Sequence, residues 1–184
     1  STPILHHQSG DYRHRFIDTN KSTKKGDILS SRELLFYNSD VTVSSGLIDL
    51  EMKDFYKNAH NDELFYIQSG SALFESNFGN IELIFGDYLI IPRGVIWRLR
   101  DLESLKCLII ESRGMIRTPK RYRNKFGQLL EHSPFCERDI KTPILQNPII
   151  KNGKFPIVSM VIKNNTKEFI NVFSMPLFHI SSWQ

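Results

Sequence analysis

At 184 residues, with 40% hydrophobic and 24% charged side chains, the chain suits one globular domain plus an appendage. That composition excludes a disordered polypeptide, and the net charge of +4 is too mild to single out a nucleic-acid or membrane-surface binder. No apolar run approaches the roughly 18 residues a bilayer-spanning helix needs. Two cysteines, Cys107 and Cys136, stand in no metal-ligand spacing and no secretory leader is visible, so a cytoplasmic location is expected. Cys107 lies in an apolar run and is expected to be a buried, inert thiol.

In chain order, residues 1–33 are polar and broken by Gly10 and Gly26, which predicts an irregular N-terminal arm. His6, His7 and His14 fall there without carboxylates or cysteines at ligand spacing, so they are expected to be solvated. From 34 to 112 short apolar strands recur about every ten residues, with Gly or Pro between them. Stretches 41–43, 47–50, 63–68, 71–75, 80–85, 88–91, 95–99 and 105–110 are the expected strands, and no segment has a convincing helical period. This predicts an all-β antiparallel sandwich or barrel.

Residues 113–148 are irregular and rich in Pro, Arg and Lys. They read as a wrapping segment anchored by Phe126, Leu129, Leu130 and Phe135. The stretch 149–184 reads as a β-hairpin extension. Its strands, 158–163 and 166–172, are joined by Asn164 and Asn165, which tolerate the positive φ of a tight turn.

Two short segments carry the chemical argument. Asp62 and Glu63 open a strand that runs to a turn at Gly70, and Gly86 is followed after five residues by Pro92, Arg93 and Gly94. These frames resemble the two motifs of metal-binding cupins, implying a cupin-type antiparallel β-barrel, or jelly roll. The first motif sets two histidines at i and i+2 of a strand with a glutamate shortly after; the second closes with a histidine three residues beyond its last glycine. Side chains at i and i+2 share a face, so imidazoles there converge inside a barrel and suit iron or manganese. Here the paired positions hold Tyr56 and Asn58, the later one holds Trp97, and Glu63 remains. An indole only donates and an amide ligates weakly, so this barrel is expected to hold no metal or cofactor. Tyr56 and Trp97 either fill the core or stack on a small aromatic ligand.

His60, two residues from Asn58, could swing in as a replacement ligand, but one His and one Glu make an incomplete site. Arg113, Arg117, Lys120, Arg121, Arg123 and Lys125 form a basic cluster. Glu131, Glu137 and Asp139 follow and could pair with it, so a solvated or pairing role is expected rather than nucleic-acid binding. His132 and Cys136 lack the second ligand pair of a zinc site.

A wider resemblance then emerges. Residues 38–41, 55–58, 62–65, Phe78 and Gly79, 86–88 and 91–94, continued loosely by 110–114, 119–124, 127–129, Glu131 and His132, are similar to homogentisate 1,2-dioxygenase of the bacterial type. The stretch 176–183 looks like a divergent form of a family segment, departing from it at 179–182. The resemblance implies the structural N-terminal half of an Fe(II)-dependent ring-cleaving enzyme of tyrosine and phenylalanine catabolism. The family's iron ligands lie in a second half and none transfers to a residue of this chain. The N-terminal-half reading also predicts an exposed apolar surface on residues 150–184, which would either pair between copies, as in a homo-oligomer, or be poorly ordered. The rival reading is a stand-alone, metal-free cupin that binds a small ligand or a protein partner, with a compact 150–184 segment.

Overall fold

The computed structural model describes residues 2–3, 16–146, 155–163 and 166–174. The three arm histidines, the Asn164–Asn165 turn and the stretch 175–184 lie outside the described residues. Among the described residues eleven strands form one curled sheet: β1 (Thr2–Pro3), β2 (Lys25–Gly26), β3 (Glu33–Tyr37), β4 (Val41–Ile48), β5 (Phe55–Asn58), β6 (Asp62–Ser76), β7 (Gly79–Leu83), β8 (Tyr88–Ile91), β9 (Ile96–Ser112), β10 (Phe155–Lys163) and β11 (Thr166–Ser174). Among the described residues the only helices are three single 3₁₀ turns, and no helix is long and apolar enough to cross a membrane.

The frame is a long antiparallel pair. β6 runs against β9 along nearly its whole length, while its other edge takes β8 and then β7. β9 in turn pairs with β4 over Val41 to Ile48 and with β5 at Ile96 and Trp97. The stretches 63–68 and 71–75 are therefore one strand, and so are 95–99 and 105–110, where the sequence pattern suggests breaks. The apparent breaks are bends. Register shifts fall between Ile67 and Leu73, Gly70 takes φ +78°, and opposite it Asp101 and Ser104 take φ +50° and +38°. A Cβ on Gly70 would stand 2.1 Å from the Glu103 carbonyl oxygen, so the bend needs glycine there. Such kinks curl a sheet toward closure.

The terminal hairpin is no separate unit. β10 lies parallel to β5, from Ile157 beside Phe55 to Met160 beside Asn58, so β10 and β11 extend the same sheet. Ile157 and Met160 are buried, whereas Phe169 is half-exposed. The stretch 113–146 is held differently from expectation, since Phe126 is exposed and Leu130 and Phe135 are partly so. Backbone and polar contacts pin it instead: Arg113 N–H to Asp40 O, Ile116 N–H to Asp62 Oδ2, Lys141 Nζ to Asp87, and reciprocal bonds between Asn80 and Ile144. Gly79 permits that last crossing, because a Cβ there would lie 2.5 Å from the Ile144 oxygen.

One sheet face packs inward around Phe65, Ile67, Phe74, Leu89, Ile91, Trp97, Leu99 and Ile109. The other carries an apolar row in register across five strands, Ile90, Leu64, Ile110, Val43 and Phe36, with Ile90 and Phe36 about half-exposed. Cys107 is buried inward, and burial pushes its thiol up to about 12, as an inert role requires.

Candidate functional site

The two motif turns are locked to one another. Asp62 Oδ1 accepts from the backbone N–H of Arg93 at 3.1 Å and from its Nε at 2.9 Å, while Oδ2 accepts from Ile116 N–H at 3.0 Å. Gly94 N–H donates to the Asn58 carbonyl at 2.8 Å. Burial works to raise the Asp62 carboxyl, but the two backbone donors and the Arg93 guanidinium outweigh it and hold it below the usual carboxylate range.

With the turns fixed, strand alternation turns Tyr56, Asn58, Glu63 and Trp97 inward, and all four are buried. Trp97 pairs directly with Tyr56 across β5 and β9. Its indole meets Tyr56 and Phe65 edge-on, with centroids 5.3 and 5.5 Å apart, and lies tilted beside Phe74 at 5.6 Å. Trp97 is 0% and Tyr56 1% exposed, so both rings are closed to solvent and fill the core. A ligand stacking on either would first have to displace its neighbours.

Glu63 has a partner that the motif frame does not foretell. In the β6–β9 register it sits directly opposite Glu111, and both carboxylates are buried on the same face. Like charges placed so repel. The balance comes from Arg32, just before β3, whose Nη1 lies 2.8 Å from Glu63 Oε1 and 3.4 Å from Glu111 Oε1. The 2.8 Å contact is a close ion pair with a fully buried carboxylate. Glu111 is better served: Asn58 Nδ2 donates to Oε1 at 3.2 Å and Lys167 Nζ, from β11, to Oε2 at 2.6 Å. The Arg32 guanidinium also stands 5.8 Å from the ring centroids of Tyr56 and Phe65.

These environments set the charges apart. Burial pushes the Glu63 carboxyl up, against the opposing pull of Arg32. Burial acts on Glu111 in the same sense, but Arg32, Lys167 and Asn58 outweigh it and hold its carboxyl low. Burial also disfavours charge on Arg32, yet the two glutamates overcome that and keep the guanidinium above its ordinary value.

A turn delivers Arg32 to this place. Asp27 Oδ1 accepts from Leu29 N–H, Ser30 N–H and the Ser30 hydroxyl, and Ser31 N–H donates to the Asp27 carbonyl. The turn buries Ile28 completely, and Arg32 Nε donates to the Ile28 carbonyl at 3.1 Å. The stretch 27–32 is thus an ordered plug rather than part of an irregular arm.

The residues present do not fit a metal. Asn58 aims its amide nitrogen at Glu111, Trp97 offers only a donor, and Arg32 and Lys167 already cover the two carboxylates. No three His, Cys, Asp or Glu groups gather at metal-holding distance among the described residues. His60 is exposed, and only its backbone N–H bonds to Asn58 Oδ1, so the structure does not bring it to Glu63 as a ligand. The basic cluster makes no ion pair with Glu131, Glu137 or Asp139 among the described residues; Asp139 pairs with its neighbour Arg138. His132 is also exposed.

Arg32, Glu111 and Lys167 escape the motif reading. Glu111 left a signal, being a charge in phase with the inward-facing Cys107 and Ile109. Arg32 and Lys167 left none that separates them from other basic residues.

The paired motif turns and the curled, mostly antiparallel sheet make this chain a cupin-type domain. No family model matches the sequence. A candidate dioxygenase of Saccharolobus solfataricus is 36% identical over 184 residues, which is all of this chain and 47% of that protein. The chain therefore spans about half the length of this relative. A cupin-2 domain protein from Shewanella frigidimarina is 26% identical with a TM-score of 0.41, over 45% of this chain and 80% of that one. A conserved protein of unknown function from Streptococcus pyogenes is 14% identical with a TM-score of 0.45, over 61% of this chain and 99% of its own.

Proposed function

We propose that this chain is the non-catalytic N-terminal cupin half of a homogentisate 1,2-dioxygenase-like enzyme, which opens an aromatic ring in tyrosine and phenylalanine breakdown. One observation carries the reading: 36% identity along the whole chain to a candidate dioxygenase about twice as long. The motif resemblance between residues 38 and 132 supports the choice of homogentisate as substrate class. The barrel centre supports a structural role, because an indole, a phenol and an amide stand where imidazoles would be required. In this reading the Fe(II) that activates oxygen is bound by residues outside this chain. What this half contributes is a rigid barrel whose interior is already filled.

The experiment compares this 184-residue chain with the product of its coding frame followed past residue 184. Both are supplied with Fe(II), homogentisate and oxygen, and oxygen uptake is recorded. The reading expects uptake by the longer protein and none by the shorter. Oxygen uptake by the short chain alone would overturn it, as would a longer protein that ignores homogentisate.

A further inference from the structure

We infer that the Arg32 guanidinium is the resident cation of this barrel, seated between Glu63 and Glu111 at the centre where metal-binding cupins hold a metal ion. The inference concerns the barrel itself and stands whether or not homogentisate is the substrate of a longer enzyme.

Three observations converge on it. Glu63 and Glu111 are cross-strand partners, 0% and 3% exposed, so two carboxylates face each other away from water. A positive group between them removes the repulsion that two buried carboxylates would otherwise suffer. One atom, Arg32 Nη1, approaches both carboxylates, at 2.8 and 3.4 Å, from a segment the Asp27 turn holds in place. The charge comes from the sequence rather than from solution. The guanidinium is bulkier than a bare ion and is placed by the backbone, so the site excludes a second cation.

It follows that the place vacated by removing Arg32 is a binding site for small cations, and that planar guanidinium, which matches carboxylates in shape and hydrogen bonding, fits it best. Lys167 balances Glu111 but, on the far oxygen, leaves Glu63 uncovered.

The test is thermal unfolding of the full 184-residue chain and its Arg32→Ala variant in about 20 mM guanidinium chloride or sodium chloride, a concentration far below the molar range in which guanidinium denatures. Arg32→Ala is expected to lower the Tm by about 10 °C. Guanidinium should recover part of that loss relative to sodium, while leaving the parent protein unchanged. Equal behaviour of the variant in the two salts, or an unchanged Tm on substitution, would overturn the inference. If Arg32→Ala does not fold, the variant that also carries Glu63→Gln decides. Folding of that double variant supports the inference, because Lys167 then balances Glu111 and no unpaired charge is left; failure to fold overturns it, because Arg32 then acts through something other than these carboxylates.

Discussion

Trp97 and Glu63 are both fully buried in one barrel interior, yet what surrounds them differs in kind. Around Trp97 the neighbours are Tyr56, Phe65 and Phe74, all from strands 55–76, and they meet it through ring faces and edges. Around Glu63 and its cross-strand partner Glu111 stand Arg32, Asn58 and Lys167, so the group draws on five separate parts of the chain and meets through charge and hydrogen bonds. The aromatic end is held by area removed from water and tolerates some change of shape. The charged end is held by balance: each member offsets another, so removing one leaves a buried charge uncompensated.

Breaking the aromatic end should have the largest effect. Trp97→Ala opens a cavity among three rings and is expected to cost about 4 kcal/mol, read as a lowered urea midpoint at unchanged slope. A cost below about 1 kcal/mol would mean that the indole is not the keystone its burial implies. At the charged end, Glu111→Ala leaves Lys167 and Arg32 facing one glutamate and should cost about 3 kcal/mol by the same measurement. A joint exchange of Arg32, Glu63, Glu111 and Lys167 for apolar residues of similar size should recover most of that loss, whereas no second substitution that leaves the cavity unfilled should rescue Trp97→Ala. Equal rescue at both ends would erase the distinction.

A smaller effect should separate the motif turns from the centre. Asp62 is held below the ordinary carboxylate range by Arg93 and Ile116 despite its burial. A depressed folded value means that its contribution is fully present above about pH 4 and is lost as pH falls through the lower folded value. Asp62→Asn should therefore be less stable than the parent near neutrality, with the gap closing as pH drops below 4 in an acid titration followed by circular dichroism. A gap that widens toward low pH would reverse the assigned sign.

The aromatic end was legible in the sequence, whereas of the charged end only Asn58 and Glu63 were, for a physical reason. Strand alternation and the Gly86 to Gly94 frame place Tyr56, Asn58, Glu63 and Trp97 on inward faces, and there the structure has them. Arg32 lies 31 residues from Glu63 and Lys167 lies 56 residues from Glu111, and only the folded turn at 27–32 and the strand pairings bring them together. The breaks expected near Gly70 and Asp101 are bends within β6 and β9, because opposed positive-φ residues let paired strands turn together without parting. Exposed Phe126 shows the limit of reading apolar residues as anchors, since the segment around it is held by backbone hydrogen bonds that composition does not encode.

The most direct measurement is an anomalous difference map from crystals of this chain grown with excess Mn²⁺, recorded where manganese scatters strongly. A filled centre predicts no peak between Glu63 and Glu111, with the Arg32 guanidinium in density there. A manganese peak beside Glu63, with Arg32 swung away, would contradict the account.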